Sequence, residues 1–385
     1  MANPLRRILS TIHTLRTIDR ATALASAGYF FKKWRLDTRY GRHRAHGAAQ
    51  TPGRIMTFEK EDRGLLVTCS RGALRLTVIA PDCIQVRFQA SGRFPVPFSY
   101  AVAKVTWPAV SFSVAETDEC LILSAPEMVC EIQRRTATLI FRDSRGRVIS
   151  RDAQPITWRE GEIRLTRELP ADEACYGLAE QPVGLDVRGK RYPLWNTDPI
   201  GYVRDQIPVH FTIPFYLGVH KDYVFGLFWD NPARGYVDVG AERKDRLTFE
   251  GTVGELRYYA FAGADVNAVL GRYTELTGRM PMPPVWALGF HISRWSYYPA
   301  DTVHEIATEF RRRKIPCDAI YFDIHYMDGY RCFTWDRERF PAPARLLGEL
   351  ADLGFKPMAI LDPGIKVDSK YEVYQRGFSE DIFLK

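Results

Sequence analysis

At 385 residues the chain exceeds one ordinary core, so two domains are expected. Its composition, 46% hydrophobic against 26% charged, is that of a globular protein, and no apolar run reaches the ~18 residues of a membrane span. The net charge of +7 is local: residues 1–60 hold twelve Lys/Arg against three Asp/Glu and the rest hold 41 against 43, which argues against nucleic acid as the partner of the main body.

Residues 1–54 read as a basic helical extension and linker, ending in "RYGRHRAHGAAQTPG". Over 55–262 the pattern changes to short runs with period-two alternation, among them "LLVTC", "ALRLTVIAP", "CIQVRFQ", "MVCEIQ", "FTIPFYLGVH", "YVFGLFWD" and "RLTFEG". Gly, Pro, Asp or Ser bounds each run, which predicts an antiparallel β-sandwich. Residues 263–283 follow as a connecting helix, "DVNAVLGRYTELTG", and a Pro-rich hinge, "RMPMPPVW".

From 284 to 385 the grammar is βαβαβ. "WALGFHI", "DAIYFDI" and "KPMAILDPGI" read as strands, separated by the helices "ADTVHEIATEFRRRK" and "PARLLGELADLGF". A Thr302/Glu305 capping box is expected to open the first helix and Gly354 to close the second. Apolar strands alternating with amphipathic helices require a parallel sheet. The fold class is therefore α/β plus all-β.

Ligands of parallel α/β folds sit at the C-terminal strand ends. Here those ends carry Ser293, Arg294, Trp295, Tyr297 and Tyr298 after the first strand, Asp323, Ile324, His325, Tyr326 and Asp328 after the second, and Asp362 and Pro363 after the third. Acids beside flat rings suit a sugar, which is polar at its edges and apolar on its faces. A carboxylate accepts two hydroxyls at once, and an indole covers the C–H face. Asp323 and Asp362 also suggest the carboxyl pair of glycoside cleavage, about 5–5.5 Å apart for retention and wider for inversion. Each residue has a plainer reading as well: Asp323 and Asp362 as turn or ion-pair acids, Trp295 as a plug, His325 as a hydrogen-bonded structural histidine, Asp328 and Asp336 as turn and cap acids.

Several long stretches resemble glycoside hydrolase family 31, the retaining α-glucosidases and α-xylosidases. "MPPVWALGFHISRWSYY", "AIYFDIHYMDGYRCFTWD" and "KPMAILDPGI" are similar to the family's first three barrel strands. "CYGLAEQPVGLDVRGKRYPLWNTDPIGY", residues 175–202, is similar to the loop that its galactose-mutarotase-like sandwich sends into the active site. The resemblance spans roughly residues 60–385. It implies that the parallel unit is the start of a (β/α)8 TIM barrel, cut after the third strand.

The resemblance also reassigns the acids. Asp323 is implied to grip hydroxyls of the −1 sugar, with Trp295, Ile324 and Ile360 lining that subsite and Asp198 reaching the +1 sugar. The family's nucleophile lies in a W-x-D-M-N-E type motif on the fourth strand and its acid/base on a later one. Neither occurs before Lys385, and "FWDN" at 228–231 stands in sandwich grammar. No catalytic residue is therefore expected in this chain, and the 385-residue polypeptide is expected to be inactive as the front of a longer enzyme. The implied substrate is an α-linked oligosaccharide or glucoside, most naturally a terminal α-glucose because Ile324 leaves room for C6. α-Xylosidase, transglycosylase and α-glucan lyase activity, or non-catalytic carbohydrate binding, are the alternatives. Seven cysteines, at 69, 83, 120, 130, 175, 317 and 332, never fall in C-x-x-C spacing, which argues against zinc and disulfides and points to a reducing, cytoplasmic compartment. No metal or other cofactor is expected.

Overall fold

The computed structural model describes residues 47–383 apart from 198, 200–202 and 363, and residues 27, 28, 30–32, 34–36 and 38 before them. The chain divides into two compact units, Met1–Arg279 and Met280–Lys385.

The first unit is built from antiparallel sheets. The largest has eight strands in the order Ile55–Glu61, Gly64–Cys69, Ala73–Ala80, Cys83–Gln89, Leu256–Gly263, Tyr223–Trp229, Phe215–His220 and Ala174–Gly177. One five-stranded sheet runs Thr157–Arg159, Glu162–Glu168, Arg246–Gly251, Gly235–Val239, Lys190–Leu194. The other is a simple meander: Ser113–Glu116, Cys120–Ser124, Met128–Gln133, Leu139–Asp143, Val148–Arg151. Alternation explains the meander directly, since Met128, Cys130 and Ile132 are buried while their neighbours are half-buried. A single apolar cluster draws on all three sheets, joining Leu76 and Tyr258 to Leu123, Phe141, Leu165 and Phe249.

The helix Val266–Thr277 covers the other face of the eight-stranded sheet. Asp265 caps it by accepting from the Ala268 N–H at 2.8 Å. Val269 and Leu276 pack among Phe215, Phe228 and Phe261, and Tyr273 stacks on Phe215 at 4.0 Å. The approach is close: a Cβ on Gly226 or on Gly263 would lie 2.6 Å from a Val269 methyl. Glycine at both positions lets the helix seat.

In the second unit His291–Ile292, Ala319–Phe322 and Lys356–Ala359 form a parallel sheet with Ala319–Phe322 in the centre. The helices Ala300–Arg312 and Pro343–Asp352 contribute Val303, Ala307, Leu346 and Leu350 to a core that also holds Ile292, Ile320, Phe322 and Phe355. Arg311 ties the layers together, donating to the carbonyls of Leu353 and Cys317 while its guanidinium lies 4.0 Å over the Phe355 ring.

Two local expectations fail here. Only His291–Ile292 of "WALGFHI" pairs as strand, because Val285–Leu288 winds into a 3-10 turn. Gly289 then lies so near the Asp318 carboxylate that a Cβ would stand 1.9 Å from it. The Thr302/Glu305 capping box does not form either. The helix starts two residues before Thr302, at Ala300, whose N–H donates to the Arg339 carbonyl at 3.0 Å. Thr302 is thereby inside the first turn, where its backbone is already helical, and Asp301 supplies the favourable negative charge.

Candidate functional site

The three strand ends of the second unit are joined by named contacts. Ser296, past the first strand, bonds through Oγ to Nδ1 of His325, past the second, at 2.8 Å. Tyr298 stacks on the same imidazole at 5.2 Å, and the Trp295 indole lies 6.0 Å from it. Arg339 donates to the His325 carbonyl at 3.1 Å and covers the Tyr298 ring. His325 thus fastens the first strand end to the second, through contacts that its sequence context does not reveal.

The second and third ends are joined as firmly. The Tyr326 hydroxyl donates to the Ile360 carbonyl at 3.0 Å, and the Cys332 thiol to the Asp362 carbonyl at 2.8 Å. Farther out, Arg331 pairs with Asp368, and Tyr371 donates to the Cys332 carbonyl at 2.7 Å. The Lys370 N–H and the Arg331 guanidinium hold the Asp368 carboxyl below the usual carboxylate range.

Within this frame Asp323 follows the central strand and is half-buried. Its Oδ1 accepts from the Ile324 N–H at 2.7 Å, closing the turn Ile324–Tyr326. Ile324 is half-buried against the apolar core. Trp295 is 78% exposed, a bare indole at the first strand end, and Ile360 is 42% exposed. The Ile360 N–H donates to the Phe322 carbonyl at 2.9 Å, so Ile360 continues the strand pairing up to the level of Asp323. Asp362 is exposed, held by its backbone rather than its carboxylate. Asp328 and Asp336 serve turns: Asp336 accepts from the N–H groups of Glu338 and Arg339, each at 3.0 Å.

Asp198 lies outside the described residues. Beside it, Thr197 is held by its N–H to the Val209 carbonyl and by its hydroxyl to the Pro208 carbonyl, each at 3.0 Å. Asp230 of "FWDN" ends a sandwich strand, buried against Arg257 at 2.7 Å and Ser99 at 2.7 Å. That is a structural ion pair. All seven cysteines are free thiols. Among the described residues, no three His, Cys, Asp or Glu side chains are grouped to hold a metal, and no helix is long and apolar enough to cross a membrane.

Comparison with known proteins agrees with this architecture. The sequence profile of the glycosyl hydrolases family 31 TIM-barrel domain matches residues 280–385, and that of the glycosyl hydrolase 31 N-terminal galactose mutarotase-like domain matches residues 73–238. Alpha-glucosidase 2 of Bacillus thermoamyloliquefaciens is 34% identical over 337 residues, which cover 86% of this chain and 42% of that protein. Alpha-xylosidase 1 of Arabidopsis thaliana is 29% identical over 255 residues, 64% of this chain and 27% of that one. The solved structure of a Flavobacterium johnsoniae family 31 dextranase complexed with isomaltotriose superposes with a TM-score of 0.79 at 29% identity, over 86% of this chain and 40% of that one. The chain therefore spans less than half the length of these relatives, whose names cover three activities. Two domain profiles matched in order, on a sandwich followed by parallel βα units, lead to one conclusion: the chain belongs to glycoside hydrolase family 31.

Proposed function

We propose that the strand ends of the second unit form the sugar-gripping part of a retaining α-glycoside hydrolase that removes terminal α-linked glucose. One observation carries the reading: Asp323, at the end of the central strand, uses one oxygen on its own turn and leaves the other to a ligand, with the exposed Trp295 and Ile360 on the flanking strand ends. A carboxylate in that position accepts hydroxyl protons, and an indole and an isoleucine supply apolar surface for the C–H faces of a pyranose. Relatives named as alpha-glucosidase and dextranase support glucose as the sugar. A cytoplasmic location belongs to the same proposal and rests on the seven unpaired thiols.

In this reading the strand ends of the second unit grip the sugar. Hydrolysis needs a nucleophile and an acid/base besides these binding groups. The expected result is twofold. The 385-residue chain releases no product from an aryl α-glucoside. A chimaera joining residues 1–385 to the remaining barrel of the Bacillus relative releases glucose with retained α configuration, as read by NMR of the fresh product. Turnover by the chain alone, or a folded chimaera that cleaves no α-glucoside, would overturn the proposal.

A further inference from the structure

The loop after the central parallel strand is built to display rings. Gly329, Tyr330 and Phe333 have φ of 52°, 62° and 65°, a region that aromatic residues rarely occupy. Hydrogen bonds from both sides hold it there. Lys366 donates to the Gly329 carbonyl at 2.7 Å, Thr334 to the Arg331 carbonyl at 2.6 Å, and the Asp328 N–H to Thr334 Oγ1 at 3.0 Å. The Arg331 side chain is anchored on Asp368 and the Cys332 carbonyl on Tyr371. A loop so fixed could fold its rings inward, yet Tyr330 stays 52% and Phe333 69% exposed.

Tyr330 does not stand alone. It meets the His325 imidazole in an edge-on contact at 5.7 Å, and that imidazole is 6.0 Å from the Trp295 indole. The separation of Tyr330 from Trp295 therefore cannot exceed the sum of those two distances, a span of about two pyranose rings laid end to end. Flat surfaces no farther apart than that, on a backbone that does not yield, lie within reach of one chain of sugars with an apolar face on each unit.

Building on the sugar-site reading above, we infer that Tyr330 is an outer stacking residue, so that this surface takes an α-linked oligosaccharide longer than a disaccharide. Preorganisation is what makes the ring useful: its ordering cost is met in the folded loop and not on binding.

The test is saturation-transfer NMR on the 385-residue chain with methyl α-glucoside and with maltopentaose, for the parent and the Tyr330→Ala, Tyr330→Phe and Asp323→Asn variants. Tyr330→Ala is expected to weaken maltopentaose about tenfold while changing methyl α-glucoside by less than about twofold, and Tyr330→Phe to keep the parent affinity for both. Asp323→Asn is expected to weaken both sugars. If Tyr330→Ala leaves maltopentaose unchanged, or weakens the two sugars equally, while Asp323→Asn weakens both, the inference about Tyr330 falls and the sugar site stands. If the parent binds neither sugar, or Asp323→Asn changes neither, the sugar site falls and the inference with it.

Discussion

Asp323→Asn, placed in the chimaera that carries a whole barrel, is expected to lower kcat/KM on α-glucosides by on the order of 10²-fold or more. The reason lies in how the two oxygens are used. Oδ1 accepts from the Ile324 N–H at 2.7 Å and closes the turn, a bond that an asparagine oxygen keeps. The group that replaces Oδ2 is an amide NH2, which donates only. The substitution thus leaves the loop in place and removes the charged acceptor offered to sugar hydroxyls. A charge-assisted bond contributes about 1.5–3 kcal/mol, so losing one or two accounts for the predicted factor. The loss should appear in KM as well as in kcat, because these bonds already hold the bound sugar and tighten further as the ring flattens toward the transition state. An unchanged kcat/KM would leave Asp323 as a turn acid and nothing more.

The largest expected effect on stability is in the first unit, where Arg167→Ala should cost about 3–5 kcal/mol. Arg167 and Asp152 are an ion pair with both side chains at 0% exposure, 3.0 Å apart. Arg167 also donates to Ser150 Oγ at 2.6 Å and lies over the Phe141 and Phe225 rings at 5.2 and 5.5 Å. Asp152 accepts from the Leu139 N–H at 2.8 Å. Burial still pushes the Asp152 carboxyl up to about 6, against the pull of the guanidinium. Deleting the arginine leaves that carboxyl without its cation.

Protons give this prediction a second readout. A carboxyl whose folded pKa is raised binds its proton more tightly in the folded protein, so its contribution to stability falls as pH rises from the unfolded value near 4 through the folded one. Without Arg167 the folded value climbs further. The deficit of the variant should therefore be greatest above about pH 6 and narrow toward about pH 4. Urea unfolding followed by tryptophan fluorescence reads both effects, and the double variant Arg167→Met/Asp152→Leu should lose far less than Arg167→Ala, since it buries no unpaired charge. Equal losses would mean that packing, not charge, sets the cost.

What the sequence discloses follows from which faces are covered. The parallel strands and their helices are legible because apolar runs alternate with amphipathic stretches of helical period. The three inner strands of the meander, Cys120–Ser124, Met128–Gln133 and Leu139–Asp143, are legible because one face of each is more buried than the other. Leu256–Gly263 escapes this reading: seven of its eight residues are buried, so it has no alternation, although it is the strand that joins the two halves of the largest sheet. Short partners such as Thr157–Arg159 and Val148–Arg151 carry too few residues to show any period. At the site, the residue types after each strand mark where a ligand would sit. They do not disclose that Ser296, Tyr298 and Arg339 converge on His325, because those contacts arise only once separate strand ends are brought together. The exposed ring of Tyr330 is equally hidden, since it depends on a left-handed backbone that no local residue requires.

The central claim is that Trp295, Asp323 and Ile360 present one sugar-gripping surface. The most direct measurement is an NMR titration of the isotopically labelled 385-residue chain with methyl α-glucoside, following the Trp295 indole, the Asp323 and Ile324 amides and the Ile324 and Ile360 methyl groups. The account predicts that these signals shift together along one saturable curve. Saturable binding that leaves them unmoved while signals elsewhere shift, or a titration in which no signal moves, would contradict it.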